Sequence, residues 1–372
     1  MILAHKIRLN PTEEQEVYFN RCVGTARFVF NYGLNRWMEA KAQGIQKFGV
    51  MAIKKELNFI KLEKFPWMYD VSKTVLECAM INLGKALSNR FESKSGKRKG
   101  KKVGFPNFKS KKKSKYTFGV ANDRFCVDGH GFKMSLCPGV VNMAEALRFS
   151  GKIMGANVSR VAGKWYVSIR VEIENPIPIH FEKESVGVDL GIKTLAVLSD
   201  GTQYENQALL RKQQNKLKRL NRQLSRRKQG SARWNKTKLK LSRFHAEIKD
   251  KRSDLIHKMT TKIAKTYSFV GVEDLNVAGM VGNRKLSLSI SDAAFGEIVR
   301  QLEYKKKLYG GSIQKIGRFY PSSKTCGDCG AINKDLKLSD RSWVCSSCGT
   351  IHDRDANASE NIEKEALRLA YA

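Results

Sequence analysis

Three acidic residues in a strongly basic chain occupy positions where a carboxylate makes a poor core residue. Asp189 lies in GVDLGIKTLAVLSDG, 187–201, within a short β-branched run from Val186 to Leu190 that meets Gly191. A second run, Thr194 to Leu198, leads into Ser199-Asp200-Gly201, so the stretch predicts a tight hairpin with Asp189 in its first strand. Glu273 closes another apolar strand in FVGVEDLNVAGM, 269–280. Asp355, in HDRDANASENIEKEALRLA, stands at the start of a helix whose Ala358, Ile362, Ala366 and Leu369 share one apolar side. Taken singly, Asp189 reads first as a surface or turn acid and Asp355 as a helix cap. Together they fit a two-metal nuclease, because Mg²⁺ takes hard oxygen ligands and leaves positions for phosphate and water. Two such ions would activate the attacking water and stabilise the leaving oxygen. His352, beside Asp353, is a candidate proton shuttle, but six histidines supply no triad.

Four cysteines carry a second chemistry. CGDCGAINKDLKLSDRSWVCSSCG places Cys326 and Cys329, then Cys345 and Cys348, as two Cys-x₂-Cys pairs separated by fifteen residues. That spacing suits one tetrahedral, structural Zn²⁺, with Gly330 and Gly349 easing the knuckle turns; disulfides are the alternative. A closed tetrathiolate does no chemistry itself, and its place just before Asp355 suggests that it shapes the cleft. Cys22, Cys78, Cys126 and Cys137 lack metal spacing and read as ordinary buried thiols.

The elements that must position these groups follow from pattern. Residues 1–9 predict a strand, and Thr12 to Gln15 a capping box opening a helix. Helical periodicity continues to about residue 91, with Val71, Val75, Leu76, Met80, Leu83 and Leu87 on one side and Lys73 and Glu77 on another. Alternating runs after residue 115 predict antiparallel strands in a small barrel or sandwich, and NPIPIHFEKE, 175–184, a connector. Residues 207–252 predict a basic helical hairpin broken at Gln229-Gly230-Ser231, with Leu217, Leu220 and Leu224 on one side.

With 372 residues the chain has room for two or three domains. Its 69 Lys and Arg against 35 Asp and Glu give +34 at pH 7, which points to a polyanionic partner. Half of the 22 residues in 94–115 are Lys or Arg, with Phe105, Pro106 and Phe108 interleaved. That mixture suits a nucleic-acid strand better than a solvated linker. The 211–252 segment has 17 basic residues against Glu247 and Asp250, which favours a backbone clamp over a coiled-coil brace. No long apolar run or secretory start is visible, so the expectation is a soluble, cytoplasmic protein at the nucleoid, with no membrane partner.

GVDLGIKTLAVLSDG, GVEDL, LSISDAAFGEIVRQLEYK, RFYPSSKTCGDCG, WVCSSCG and HDRDANASENI, in that order, resemble TnpB, the transposon-encoded nuclease family related to type V CRISPR effectors. TARFVFNYGLN and GKKVGFPNFKSK extend the resemblance into the N-terminal half. It implies a mixed α/β and β fold: an RNase H-like RuvC domain over 184–320 and 350–372, with a zinc module at 321–349. A wedge β-barrel, 1–9 and 114–183, would carry a helical recognition lobe at 10–113. It further implies that Asp189, Glu273 and Asp355, rather than Asp353, are the catalytic magnesium ligands. The implied function is RNA-guided cleavage of double-stranded DNA beside a short flanking motif, one protein per guide RNA made from the transposon end. Lys73, Lys101, Lys102, Lys111, Lys112, Lys113, Arg226, Arg227 and Lys228 are candidate nucleic-acid contacts. The rival readings are an RNA-independent transposase and a guided DNA-binding regulator with an idle nuclease site.

Overall fold

The computed structural model describes residues 1–372 except 46, 47, 99, 175, 176, 178 and 338. Two compact units divide the chain, Met1–Ile173 and Glu174–Ala372. Pro176 and Pro178 of the expected connector lie outside the described residues.

The first unit is built on one antiparallel sheet. Strand β1 (Ile2–Asn10) alternates without a break, with Leu3, His5, Ile7 and Leu9 buried and the residues between them exposed. That period-2 pattern is what a strand with one buried face requires. Three helices follow: α1 (Glu13–Ala42), α2 (Val50–Lys64) and α3 (Lys73–Lys94). The capping box is present, Thr12 accepting from the Gln15 amide while the Gln15 side chain accepts from the Thr12 amide. Strands β2 (Tyr116–Val120), β3 (Phe125–Asp128), β4 (Gly131–Met134), β5 (Val141–Met143), β6 (Lys152–Val161) and β7 (Lys164–Glu172) complete the sheet, in the order β2-β6-β7-β1-β5-β4-β3. The first strand is therefore central, and its pairing with β7 runs from Ile2↔Glu172 to Leu9↔Trp165.

The basic segment after α3 is no free linker. Asn31 on α1 both donates to the Lys109 carbonyl and accepts from its amide, at 2.9 and 2.7 Å. Arg90 donates to the Val103 carbonyl, and Ser93 Oγ accepts from the Val103 amide. These bonds strap the segment onto α1 and α3. One thiol departs from expectation: Cys126 is exposed, because on β3 it faces away from the core side occupied by Phe125, while Cys78 and Cys137 are partly buried and Cys22 fully.

The second unit opens with β8 (Lys183–Asp189), β9 (Thr194–Leu198) and β10 (Gln203–Glu205), an antiparallel meander. Helices α4 (Leu209–Lys212), α5 (Gln214–Ser225) and α6 (Ala232–Thr266) lead to β11 (Tyr267–Glu273). Leu217 and Leu220 of α5 pack on Phe244 and Ile248 of α6, giving the expected helical hairpin. The second helix nevertheless runs on to Thr266, because its later turns carry Ile256, Met259 and Ile263 into the sheet core. Helices α7 (Val277–Gly282), α8 (Ser287–Ala293) and α9 (Phe295–Tyr309) precede β12 (Ser312–Ile316). A two-stranded ribbon, β13 (Ser342–Val344) with β14 (Ile351–Asp353), and α10 (Arg354–Tyr371) end the chain. The main sheet has the order β10-β9-β8-β11-β12, with β11 parallel to both β8 and β12.

Strand alternation divides this sheet's chemistry. Val186, Val188, Val270 and Val272 face α6 and α9, where Ile263, Ile298 and Leu302 close the main core. The intervening residues, Ser185, Gly187, Asp189, Phe269, Gly271 and Glu273, face the other way, towards the side where Ile362 and Ala366 of α10 pack on Phe269.

Candidate functional site

Register brings the first two carboxylates together. Val188 pairs with Val272 across the parallel β8–β11 ladder, so Asp189 and Glu273 follow at the same level on neighbouring strands, about 4.8 Å apart in backbone. Helix α10 supplies the third. A Cβ on Gly187 would lie 1.9 Å from the Ser359 carbonyl oxygen, and one on Gly271 would lie 2.7 Å from the Ala366 Cβ. These two glycines also pair with each other, so the helix rests directly on bare sheet backbone. That close seat places its first turn beside the strand ends. Sequence reading passed over both glycines, whose signal was their shared offset, two residues before each carboxylate.

Within α10, the two Asp of DRD have different tasks. Asp353 is the N-cap and accepts from the amides of Asp355 and Ala356 at 3.1 and 2.9 Å. Asp355 lies two residues on, within the first turn and free of the capping role, and Arg341 Nη1 donates to its Oδ2 at 3.0 Å. Ala358, Ile362 and Ala366 are buried as expected, but Leu369 is 38% exposed, since the last turn runs past the sheet. Ser322 Oγ donates to Glu273 Oε1 at 2.6 Å. Ser322 and Arg341 are the site residues that sequence reasoning missed; neither has a spacing that would single it out.

Asp189 feels all of this. Burial pushes its carboxyl up to about 7, the charges of Glu273 and Asp355 add to the rise, and Arg354 opposes it. A carboxylate raised by its acidic neighbours is one that a cation would return to the charged form. The donor set is hard oxygen throughout, which fits Mg²⁺. The three carboxylates are nevertheless an open set. Among the described residues, the groups with all ligand atoms within 4.8 Å of one another are the four cysteines and the trio Cys326, Asp328 and His352.

The thiols are closed. Cys326 and Cys348 sulfurs stand 3.6 Å apart, as do those of Cys329 and Cys345. Four Zn–S bonds of about 2.3 Å in a tetrahedron separate sulfurs by about 3.8 Å. All four are free thiols, and a disulfide would need about 2.05 Å. The residues thus fit one zinc ion. His352 belongs here: its Nε2 lies 3.0 Å from Cys326 Sγ and its ring packs on Trp343, so it faces the thiols rather than serving the carboxylates as a shuttle.

The thiol module is clipped to α10. Asn357 accepts from the Gly327 amide and donates to the Thr325 carbonyl, at 2.9 and 2.8 Å. Asn361 donates to the Ser322 and Thr325 carbonyls at 2.8 and 2.7 Å. Each side of the module therefore reaches an acid, through Ser322 to Glu273 and through Arg341 to Asp355.

The candidate nucleic-acid side chains are spread over three elements. Lys73 is exposed in the first turn of α3; Lys101, Lys102, Lys111, Lys112 and Lys113 are exposed on the strapped segment. Arg226 and Lys228 are exposed at the α5–α6 turn, while Arg227 is partly buried and donates to the Arg233 carbonyl at 2.7 Å and to Thr237 Oγ1. Among the described residues, no helix is long and apolar enough to cross a membrane.

A basic chain with a carboxylate-edged mixed sheet and a tetrathiol module defines a class of nucleic-acid-handling protein, and comparison narrows it. Residues 168–284 match the OrfB_IS605 family, described as "Probable transposase"; 295–362 match "Cas12f1-like, TNB domain", and 1–46 a helix-turn-helix domain of the same transposon group. A Streptomyces pristinaespiralis protein named "Putative RNA-guided DNA endonuclease" is 33% identical, over 96% of this chain and 88% of its own length. InsQ of Escherichia coli K12, named likewise, is 32% identical over 96% and 91%. The chain belongs to the TnpB family. Its fold resembles that of a Cas12f1 solved with guide RNA and target DNA, with a TM-score of 0.57 at 18% identity over 94% of this chain and 82% of the other.

Proposed function

We propose that the protein is an RNA-guided DNA endonuclease in which Asp189, Glu273 and Asp355 form a RuvC-type catalytic centre. The observation that carries the reading is geometric: strand register sets Asp189 beside Glu273 at one end of the β8–β11 ladder and the glycine-seated helix brings Asp355 to that end, in a chain of net charge +34. Mg²⁺ held by the three would supply the activated water and the counter-charge for a leaving 3′ oxygen. The chain's own part is positional. Strand register fixes Asp189 against Glu273, Ser322 orients Glu273, and the glycine-seated helix carries Asp355. Arg341 holds Asp355 and stands where a guanidinium can also meet a phosphate.

The sheet order suits the RNase H-like reading, and the seven-stranded sheet with its three helices suits the wedge and recognition lobe. The strapped 94–115 segment and the basic α5–α6 hairpin would hold guide RNA and target strand by their phosphates, leaving sequence to base pairing. If ten cations take part, affinity should fall by about 10⁵ between 50 and 200 mM salt. The names of the full-length relatives favour guided cleavage over an RNA-independent transposase. Retention of all three acids speaks against an idle regulator.

Sequencing the RNA that co-purifies with protein expressed beside its natural 3′ flank tests the reading. One abundant species, with a constant scaffold and an end copied from that flank, is expected. Heterogeneous RNA removable by salt would overturn it.

A further inference from the structure

The loop that follows β12 carries a side chain that the fold does not use. Ile316, the last residue of β12, pairs with Glu273 across the β11–β12 ladder, so the chain leaves the sheet beside one of the three acids. It turns at once. The Tyr320 amide donates to the Gly317 carbonyl at 3.0 Å, which makes Arg318 and Phe319 the central residues of a β-turn. Phe319 is 93% exposed, the highest value among the large apolar side chains of the described residues. Leaving its ring in water forgoes the free energy of burial.

Single exposed apolar residues are ordinary at a protein surface, and exposure alone would carry nothing. Two observations set this one apart. The turn is pinned to Glu273 and its neighbour: Arg318 Nη2 donates to Asp274 Oδ2 at 2.6 Å and Nε to the Asp274 carbonyl at 3.2 Å, while Ser322 Oγ donates to Glu273 Oε1 at 2.6 Å. Tyr320 packs inward, on the cluster that holds Phe269 and Ile316. Residues 318, 320 and 322 are thus fixed, and the ring between the first two is held out in solvent. The second observation is place. Three residues span at most about 11 Å, so Phe319 stands within a few nucleotides' reach of a phosphate at the carboxylates.

We propose that Phe319 is a substrate-positioning residue whose ring stacks on one nucleobase of the strand being cut, within three nucleotides of the scissile phosphate. The stack would hold that phosphate in register with Asp189, Glu273 and Asp355. In a chain of net charge +34, with Arg318 on Asp274 and Arg341 on Asp355, the partner drawn to this end is a polyanion. The flat apolar surface that a polynucleotide presents is its bases. Every base has such a face, so the contact confers no sequence preference and leaves sequence to the guide. The inference rests on the nuclease reading above and adds to it a residue that touches the substrate.

The test uses guide-loaded protein, Mg²⁺ and matched targets carrying a single abasic site, stepped through the unpaired stretch around each mapped cut. Wild type should slow by about tenfold when the abasic site falls at one position within three nucleotides of the cut. Phe319→Ala should be slow by the same factor on intact target and indifferent to the abasic site at that position, because both changes remove one contact. Phe319→Trp should restore the rate and the abasic sensitivity; Phe319→Leu, apolar but without a π-face, should restore neither. An unchanged Tm for Phe319→Ala is expected, which separates a lost contact from a lost fold. Cutting at the full rate by Phe319→Ala would overturn the proposal, as would an abasic penalty at that position that persists in the variant. Failure of wild type to cut intact target would instead remove the nuclease reading, and this inference with it.

Discussion

The thiol cluster and the carboxylate cluster reach their geometry by opposite routes. Four sulfurs converge within 4.8 Å although they come from 23 consecutive residues, 326–348, with little secondary structure. The three acids come from β8, β11 and α10, spread over 167 residues, 189–355, and remain more open. Local chain geometry suffices for the first. The second requires the whole sheet, its register and the seat of one helix. The lesson is that the thiol module acts as a local clamp, through Ser322 and Arg341, on a site whose parts are assembled from afar.

That contrast can be broken at the clamp. Cys326→Ser should take zinc content from one equivalent to none, with loss of the order of 10–16 kcal/mol of local folding free energy. The module should become protease-sensitive while far-ultraviolet circular dichroism of the main sheet persists. Complete unfolding would mean that the module is no separate local unit. Gly187→Ala strikes the distant assembly instead, forcing a Cβ against the Ser359 carbonyl. A destabilisation of about 1–3 kcal/mol by denaturant titration is expected, with cleavage reduced more than guided binding.

A gentler probe is proton linkage. Asp189 titrates near 7 in the native protein and near 4 when unfolded, so the native state binds the extra proton between those values. Metal-free stability should therefore fall as pH rises from about 4 to 7, by a few degrees in Tm, and Asp189→Asn should flatten that slope. Mg²⁺ should tighten over the same interval as the proton leaves. The smallest effect belongs to Ser322→Ala, which removes one hydrogen bond to Glu273 and should lower kcat about three- to tenfold with KM unchanged.

Legibility in the sequence follows the same division. The Cys-x₂-Cys pairs, the Thr12 capping box, the hairpin at Asp189 and the strand ending on Glu273 are local patterns, and each could be read directly. Asp353 against Asp355 could not, because only the helix start shows which carboxylate caps it. Ser322 and Arg341 were invisible for a related reason: their meaning lies in contacts across more than a dozen residues, and the Gly187–Gly271 pair left only its shared offset from the two strand-borne acids. His352 looked like a partner of the acids by adjacency, yet strand alternation on β14 turns it to Cys326. The second hairpin helix outran its expected end because its basic face hid the apolar side that enters the core.

The central claim is that the strand-borne acids cut what the guide selects, and one side-by-side assay addresses it. Wild type and Asp189→Ala, each loaded with the same guide RNA, would be given matched double-stranded DNA and Mg²⁺, with binding and cleavage both measured. Cleavage should fall by about 10⁴-fold or more while guided binding stays within about twofold. Retained cutting by Asp189→Ala would contradict it.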